Sequence, residues 1–518
     1  MRVALVGADG PLRRAIAEAA ERKGWTLAGE GQPAACALCL SAEQVETALA
    51  TPGLERLVQR STAYVYGASD KNPGMMTEDR VSLLDPRAPE QKWLRAEERA
   101  LTFPNTAVLR LANLLTPEEG DYVVRQLAGP IGFALPGRDP NLQFVTLEDA
   151  ARAFLAAAES RATGVFNIAG AGAVPLKKAY RAAGAERLAL LGGLARLAVQ
   201  YNWTVSGERA ARELGFTPEC SSVEALRRFL AAKRGARPAL LADRYDDFGL
   251  DLEYIHAWSG WFQFLRRAYW RIDAEGYEHL PKQGRAMFVS NHRGFMPLDA
   301  VMHLYLTYWN TGRIIRFLII PALLRMPFLS NFLTKLGGVI ANQVNAQLLF
   351  EREELVGIFP EGIRGAFSPY RRWHQLRDFS KSAFAKLAIE FQTPVIPCAV
   401  VGHTEIFPII GRINSSWISK TYGWPYLPIA PMFPLAPVPL PVKWHVRMLP
   451  PAPLEGLKPA DAENAKLVRE FARHVQQIVQ RNVDDMRLKR KSWFWGRVLD
   501  GTAPPADRFS ASSRLAAL

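Results

Sequence analysis

A histidine and an aspartate seven positions apart are the residues of this sequence best suited to acid–base chemistry. They are His292 and Asp299, in the stretch SNHRGFMPLDA (290–300), which follows the apolar run RAMFV. Histidine titrates near neutral pH, so it can take a proton from a hydroxyl group. A carboxylate beside it can orient the imidazole and stabilise its charged form. The alternative is a buried histidine that happens to precede a helix-capping aspartate.

The pattern around His292 predicts an α/β domain with the histidine at the end of a strand, where such proteins bind ligands. RAMFVSN, ELVGIFP and TPVIPCAVVG are predicted strands, and DFSKSAFAKLAIEFQ is a predicted helix between the last two. In a continuous helix, Asp299 would lie about 10 Å along the axis from His292 and out of reach. We therefore predict a non-helical turn over 294–297 that brings the carboxylate to about 3 Å from the imidazole.

The rest of the chain divides into two halves of different style. With 518 residues it is too long for one core, and all eight histidines follow residue 250. The first half alternates strands such as MRVALVG with helices such as PLRRAIAEAAERKG, which predicts a Rossmann-like doubly wound parallel sheet. The predicted organisation is a first domain over 1–235, a linker over 236–250, a second α/β domain over 251–485 and a basic, aromatic tail over 486–518.

The charge predicts an acidic partner, and two segments predict a membrane surface. The net charge is +14, and no RNA-binding, zinc or helix-turn-helix signature is present, which argues against nucleic acid. Aromatic and apolar residues recur at helical spacing beside three arginines, at Tyr254, Trp258, Trp261, Leu265 and Tyr269. RLKRKSWFWGR near the C-terminus combines both features again. A core helix and a solvated tail are the alternatives for these two segments.

Targeting and redox signals are weak. We expect no secretory signal peptide, because MRVALVGADG has no apolar core followed by a cleavage site. No stretch reads as a clean spanning helix, because prolines and basic residues interrupt the long apolar runs. The four cysteines favour a reducing compartment, and Cys36 and Cys39 lie in the predicted strand AACALCL. The prediction is a protein at the cytoplasmic face of a membrane, peripheral or monotopic, without a metal.

The first half resembles the extended short-chain dehydrogenase/reductase family, which includes nucleotide-sugar epimerases. The segments STAYVYG, VLRLANLL, LQFVTLEDAARAF and GVFNIAG occur in that family's order over about residues 1–235. Gly7 and Gly10 match two glycines of its dinucleotide fingerprint, but Arg13 stands at the next position of the same spacing. The family's chemistry uses a tyrosine with a lysine four residues later, and no tyrosine of this half has one. The prediction is a degenerate structural or regulatory domain, with residual NAD(P) binding left open.

The second half resembles the glycerolipid acyltransferase superfamily over about residues 247–485. In its details it is most similar to the mono- and diacylglycerol acyltransferase-like branch of that superfamily. SNHRG with Asp299, LGGVIAN, IFPEGIRGAFS and PVIPCAVVG stand in the family's order. The resemblance implies that His292 is the general base and that Asp299 orients it. It also implies acyl-CoA or acyl-carrier protein as the thioester donor, a lipid acceptor, no required cofactor, and substrate-binding roles for Arg293, Gly294, Glu361, Gly362 and Arg364.

This sequence departs from the family pattern at two places. Six residues separate His292 from Asp299 where the family has four, and Ala341 and Asn342 stand where it often has a phosphate-binding arginine. The choice between 1-acylglycerol-3-phosphate and a mono- or diacylglycerol acceptor therefore stays open. Two other functions also stay open. One is an NAD(P)-dependent oxidoreductase or epimerase with an accessory C-terminal domain, and the other is a non-enzymatic lipid-binding or tethering protein.

Overall fold

A computed structural model describes residues 1–29, 31–72, 74–190, 199–381, 383–436 and 438–499. The chain folds into two compact units. The first comprises Met1–Asp251 together with Ile320–Lys335, and the second comprises Leu252–Ile319 and the chain from Leu336 onwards. A short segment from the second half of the sequence thus belongs to the first unit, which the sequence did not predict.

The first unit is built on a parallel sheet. Its strands are β1 (Arg2–Val6), β2 (Thr26–Ala28), β3 (Cys36–Cys39), β4 (Arg56–Thr62), β5 (Thr106–Leu111), β6 (Asn113–Leu114), β7 (Ile131–Ala134), β8 (Asn141–Leu142), β9 (Phe144–Val145), β10 (Gly164–Ile168), β11 (Val174–Pro175) and β12 (Glu186–Ala189). Six of them form the main sheet in the order β10-β5-β4-β3-β1-β2, and every neighbouring pair is parallel. This confirms the predicted Rossmann-like sheet.

Helices connect these strands. They are α1 (Pro11–Arg22), α2 (Val45–Leu49), α3 (Gln91–Ala100), α4 (Tyr122–Ala128), α5 (Leu147–Glu159), α6 (Leu176–Ala182), α7 (Glu208–Leu214) and α8 (Ser222–Ala231). Long apolar side chains of α1 and α5 and one sheet face form a core that includes Leu12, Ile16 and Phe154. The expected linker over 236–250 is instead part of this unit, because Leu241 and Tyr245 are buried in its second core.

Among its described residues the second unit has nine strands, seven of which form one mixed sheet. Its strands are β13 (Asp273–Glu275), β14 (Ala286–Ser290), β15 (Ile315–Ile319), β16 (Val339–Ile340), β17 (Leu355–Ile358), β18 (Val395–Val401), β19 (Gly411–Ile413), β20 (Leu427–Ile429) and β21 (His445–Met448). The order is β13-β21-β18-β14-β17-β15-β16, parallel except at β18–β21. β14 lies at the centre and is fully buried, so residues that follow it reach the middle of the sheet's edge.

The remaining helices belong to the second unit, except the one over Pro327–Lys335, which belongs to the first. They are α9 (Leu252–Phe264), α10 (Leu298–Thr311), α11 (Pro327–Lys335), α12 (Gln343–Glu351), α13 (Gly362–Ala366), α14 (Phe384–Glu390), α15 (Ser416–Tyr422) and α16 (Ala465–Lys489). A π-helical turn over Leu265–Tyr269 continues α9. Among the described residues, no helix has both the length and the hydrophobicity needed to span a bilayer.

Ion pairs attach the segment Ile320–Lys335 to the rest of the first unit. Arg325 pairs with Asp70 at 2.6 Å, and Lys335 pairs with Asp139 at 2.8 Å. The Asp139 side chain has no exposed surface, so its partner is desolvated with it. Arg138 donates hydrogen bonds to the carbonyl oxygens of Leu324 and Arg325. The loop between β15 and β16 is therefore held by residues far away in the sequence.

Separating the chain between Asp251 and Leu252 removes these partners. We expect trypsin to cut a 252–518 fragment after Arg325 at least ~10-fold faster than it cuts the full chain there, because local opening controls such cleavage. Limited proteolysis with mass spectrometry measures the two rates. Cleavage after Arg352, an exposed residue of the second unit, is the control. Equal rates after Arg325 would contradict the attachment.

Candidate active site

The turn that carries His292 is tied to the neighbouring strand β18. Asn291 follows β14, and its side-chain amide donates to the Val400 carbonyl oxygen at 3.0 Å. Its amide oxygen accepts from the Val400 N–H at 2.9 Å. The Asn291 side chain thus pairs with the β18 backbone as a strand residue would. His292 comes next and is fixed at the carboxyl end of the central strand.

The residues between His292 and Asp299 form the expected non-helical turn. Gly294 has a φ of +81°, which favours glycine, and α10 begins only at Leu298. The turn absorbs the two additional residues, and Asp299 lies in the first turn of α10. His292 Nδ1 and Asp299 Oδ2 are 2.6 Å apart, a hydrogen bond of the expected kind.

The two side chains differ in their access to solvent. The His292 side chain is 15% exposed and that of Asp299 is 1% exposed. Burial raises the pKa of Asp299, but the nearby imidazoles, above all that of the hydrogen-bonded His292, together outweigh burial, and the net shift is downward. Phe359 stacks on the imidazole with ring centroids 4.4 Å apart. Asp299 therefore stays ionised and holds one edge of the ring, and the histidine is the member that can meet a substrate.

Arg293 and Glu361 form a buried ion pair, which corrects their expected role in substrate binding. Arg293 Nη1 and Glu361 Oε1 are 2.6 Å apart, and neither side chain has exposed surface. The guanidinium also donates to the carbonyl oxygens of His292, Trp373 and Gln375. The Glu361 carboxylate accepts from the backbone N–H of His292 at 3.0 Å. All these donors and acceptors are used within the protein, so the pair braces the turn instead of binding substrate.

The other expected binding residues are placed differently from one another. Gly294 is buried and contributes its backbone conformation. Gly362 has a φ of +53° where β17 leads into α13, and it is partly exposed. Arg364 lies on α13 with its side chain exposed, and it remains the one expected cationic binding residue that is accessible. The structure thus keeps Gly362 and Arg364 as candidates for binding and moves Arg293, Gly294 and Glu361 to support of the turn.

Other supporting residues were not predicted from the sequence. A Cβ at Gly365 would approach the Glu361 side chain closely and the His292 carbonyl oxygen to 3.1 Å, so only glycine fits there. The Arg377 N–H donates to Glu361 Oε1 at 2.8 Å. Phe359 packs on the imidazole. Gly365 was visible as the second glycine of PEGIRG, whereas the contacts of Phe359 and Arg377 arise only from the tertiary fold.

In the described part of the first unit, the helix end where a dinucleotide's pyrophosphate would lie is occupied by another part of the chain. In dinucleotide-binding folds the pyrophosphate lies at the N-terminus of the first helix. Here that end of α1 is taken by Glu119, which accepts from the Leu12 N–H at 3.0 Å. Arg60 pairs with the same carboxylate at 2.6 Å. Gly10 packs directly against the Glu119 carboxylate, and the guanidinium of Arg13 is bonded to the carbonyl oxygens of Leu5 and Gly7.

Tyr64 and Tyr66, two buried tyrosines that follow β4, are not set up for proton exchange. Burial raises the pKa of the Tyr64 phenol well above its ordinary value and that of Tyr66 to about 12. A proton carrier working near neutral pH needs the opposite shift. The residues around Gly7 and Gly10 therefore do not fit a bound NAD(P), and no step of a reaction is assigned to one.

The structural role of the Arg293–Glu361 ion pair is tested by replacing Arg293 with methionine. We expect the free energy of unfolding of the second unit to fall by about 3–5 kcal/mol, because Glu361 is left charged and buried without its partner. Urea unfolding measured by tryptophan fluorescence gives the difference. Arg371→Met, at an exposed position nearby, is the matched control and should change little. Equal effects of the two substitutions would contradict the assignment.

A test of the occupied helix end titrates the full chain with NAD(H) and NADP(H) by calorimetry. We expect no saturable binding below about millimolar concentration, because the ligand must displace Glu119 from both Leu12 and Arg60. A Glu119→Ala variant removes the carboxylate and reports whether the vacated end accepts phosphate. Saturable micromolar binding by the unaltered chain would contradict the interpretation.

Comparison with known proteins bears on both halves. The chain is 28% identical over 258 residues to the uncharacterized protein ML2427 of Mycobacterium leprae, covering 48% of this chain and 70% of that one. It is 28% identical over 289 residues to the uncharacterized protein Rv0502 of Mycobacterium tuberculosis, covering 53% of this chain and 80% of that one. Among solved structures, it is similar to a UDP-N-acetylglucosamine 4-epimerase from Bacillus cereus. That match has 14% identity and a TM-score of 0.36, and it covers 45% of this chain and all of the other.

A protein-family model matches the part of the chain that contains the His292 turn and the PEGIRG segment. The matching residues are 271–401, which run from the start of the second unit's sheet to the end of β18. The family is described as Acyltransferase, so residues 271–401 of this chain match an acyltransferase domain.

Proposed function

We propose that this protein is a membrane-associated glycerolipid O-acyltransferase that uses His292 as general base. The observation that carries the proposal is the 2.6 Å contact between His292 Nδ1 and the buried Asp299 carboxylate. This contact uses one nitrogen of a partly exposed imidazole. The other nitrogen, Nε2, is then the one available to a hydroxyl group of the acceptor.

The reaction needs only groups that the chain and its two substrates supply. Nε2 of His292 takes the proton of the acceptor hydroxyl while its oxygen attacks the carbonyl carbon of the acyl thioester. A C–O bond forms, the C–S bond breaks, and the thiolate leaves with the proton that His292 returns. Asp299 stays ionised and stabilises the imidazolium between these two transfers. Acyl-CoA and acyl-carrier protein are the two candidate donors.

The acceptor is a glycerolipid hydroxyl. The exposed guanidinium of Arg364 beside Gly362 supports an acceptor with a phosphate, such as 1-acylglycerol-3-phosphate, because a guanidinium matches phosphate with paired donors. Ala341 carries no charge, so it supplies no second cation at this position. The Asn342 side chain caps α12 by accepting from the Asn345 N–H. Monoacylglycerol and diacylglycerol are the uncharged alternatives. With such substrates, we propose a peripheral or monotopic protein at the cytoplasmic face of a membrane.

An NAD(P)-dependent reaction is the weaker alternative. Glu119 fills the end of α1 where the pyrophosphate would lie, and the buried phenols of the first unit hold their protons tightly. The remaining alternative, a lipid-binding or tethering protein without activity, does not account for an ionised buried carboxylate fixed on a partly exposed histidine.

The proposal is tested by acyl transfer from acyl-CoA and from acyl-carrier protein to lysophosphatidic acid, monoacylglycerol and diacylglycerol. We expect His292→Ala to lower kcat by at least ~10³-fold and Asp299→Asn by roughly 10²–10⁴-fold, because the neutral amide no longer stabilises the imidazolium. His474→Ala, at an exposed histidine of α16, is the control. Activity of His292→Ala equal to that of the unaltered protein would refute the assigned base.

A further inference from the structure

The second unit exposes large apolar side chains in three separate segments. The segment 406–443, which runs between β18 and β21 and is called the excursion here, exposes Ile410, Trp417 and Leu435, the last at 96%. The end of α9 exposes Trp261 and Phe264. The segment after α16 exposes Trp495 at 70%. Large apolar side chains exposed in several segments of one unit are typical of an interaction site.

Contacts join these three segments. The Tyr269 hydroxyl, just after α9, donates to the Pro439 carbonyl oxygen of the excursion at 2.6 Å. Arg271 donates to the Pro441 carbonyl oxygen at 2.7 Å, and its guanidinium lies 5.1 Å from the Trp495 ring. The Lys443 N–H donates to the Trp493 carbonyl oxygen at 2.8 Å. The exposed side chains are therefore parts of one assembled region, called the docking surface here.

The charges of the docking surface fit one kind of partner. Residues 254–272 contain three Lys or Arg residues, 406–443 contain three and 486–499 contain five, and none of these ranges contains Asp or Glu. Four of these eleven basic residues pair with acidic residues just outside the ranges, namely Lys443 with Asp273, Arg487 with Asp484, Lys489 with Asp485 and Arg490 with Glu405. The excess of basic residues beside exposed tryptophans still matches a bilayer interface, where rings lie among headgroups and cations meet lipid phosphates. An acidic protein partner would not require side chains as apolar as Leu435 and Ile410.

An aromatic series leads from the excursion to the His292 turn. Trp417 packs on Tyr422 with ring centroids 5.7 Å apart, and Tyr422 packs on Trp424 at 6.2 Å. Trp424 packs on Phe295 at 6.0 Å, and Phe295 lies in the turn between His292 and Asp299. Phe433 of the excursion also packs on Phe295, at 4.5 Å. The excursion thus rests directly on the turn that presents the histidine.

We propose that the second unit docks on an anionic bilayer through the docking surface, and that the excursion delivers the lipid acceptor from that bilayer to His292. The proposal rests on the proposed acyltransferase function and deepens it. Helix α9 and residues 486–499 of the tail, which the sequence predicted as membrane segments, lie at the edges of this surface. The proline-rich excursion, which the sequence marked only as unsuited to a helix, supplies its centre.

The binding half of the proposal is tested with vesicles of phosphatidylcholine, with and without phosphatidylglycerol. We expect Ile410→Ser/Leu435→Ser to weaken co-sedimentation with the anionic vesicles by at least ~10-fold, because both lost side chains would be buried in lipid. Val81→Ser, at an exposed valine of the first unit, is the matched control and should bind as the unaltered protein does. Equal binding by the docking variant would overturn the proposal, as would a self-association that the same substitutions abolish without any vesicle binding.

The delivery half is tested by presenting the acceptor in two forms. We expect the docking variant to lose at least ~10-fold of its activity on acceptor in anionic vesicles and to keep its activity on a water-soluble short-chain acceptor and thioester. His292→Ala should lose both activities and still bind vesicles. Loss of both activities by the docking variant would overturn delivery from the bilayer. An active His292→Ala protein would instead refute the proposed base while docking is judged separately by co-sedimentation.

Discussion

The candidate site depends on one buried ion pair, between Arg293 and Glu361. Neither side chain has exposed surface, so the desolvation of both charges must be offset by their contacts. The guanidinium donates to three carbonyl oxygens besides the carboxylate, and Glu361 accepts from the His292 and Arg377 N–H groups. Since the pair joins the loops after β14 and β17, it fixes the backbone on both sides of the histidine.

Three adjacent strands each position a different part of the site. β14 carries His292, β17 leads to Glu361, and β18 holds the Asn291 side chain through both polar groups of Val400. Because these strands are parallel neighbours, their carboxyl ends meet at one edge of the sheet. The backbone of His292 is then fixed by these anchors, and Asp299 and Phe359 orient its imidazole.

The sequence was sufficient for the elements and for the histidine–aspartate contact, because strand and helix periods are local and the turn at Gly294 was required by distance alone. It was insufficient for Arg293 and Glu361, whose residue types suit substrate binding equally well. Only burial distinguishes a brace from a binding group, and burial depends on Trp373, Gln375 and Arg377, which lie distant in sequence. For the same reason the sequence did not predict that Ile320–Lys335 belongs to the first unit. That placement depends on ion pairs with Asp70 and Asp139, which are far away in the sequence.

The two units differ in how the polar groups at one edge of the sheet are used. In the first, the helix end that favours an anion is filled by the chain's own Glu119, paired with Arg60, so the unit completes its hydrogen bonds without a ligand. In the second, the side chains of Asn291, Arg293 and Glu361 are hydrogen-bonded within the protein, and the His292 side chain keeps an exposed edge. A fold that satisfies its buried charges internally can leave one titratable nitrogen to solvent, and that contrast is why chemistry is assigned to the second unit and not to the first.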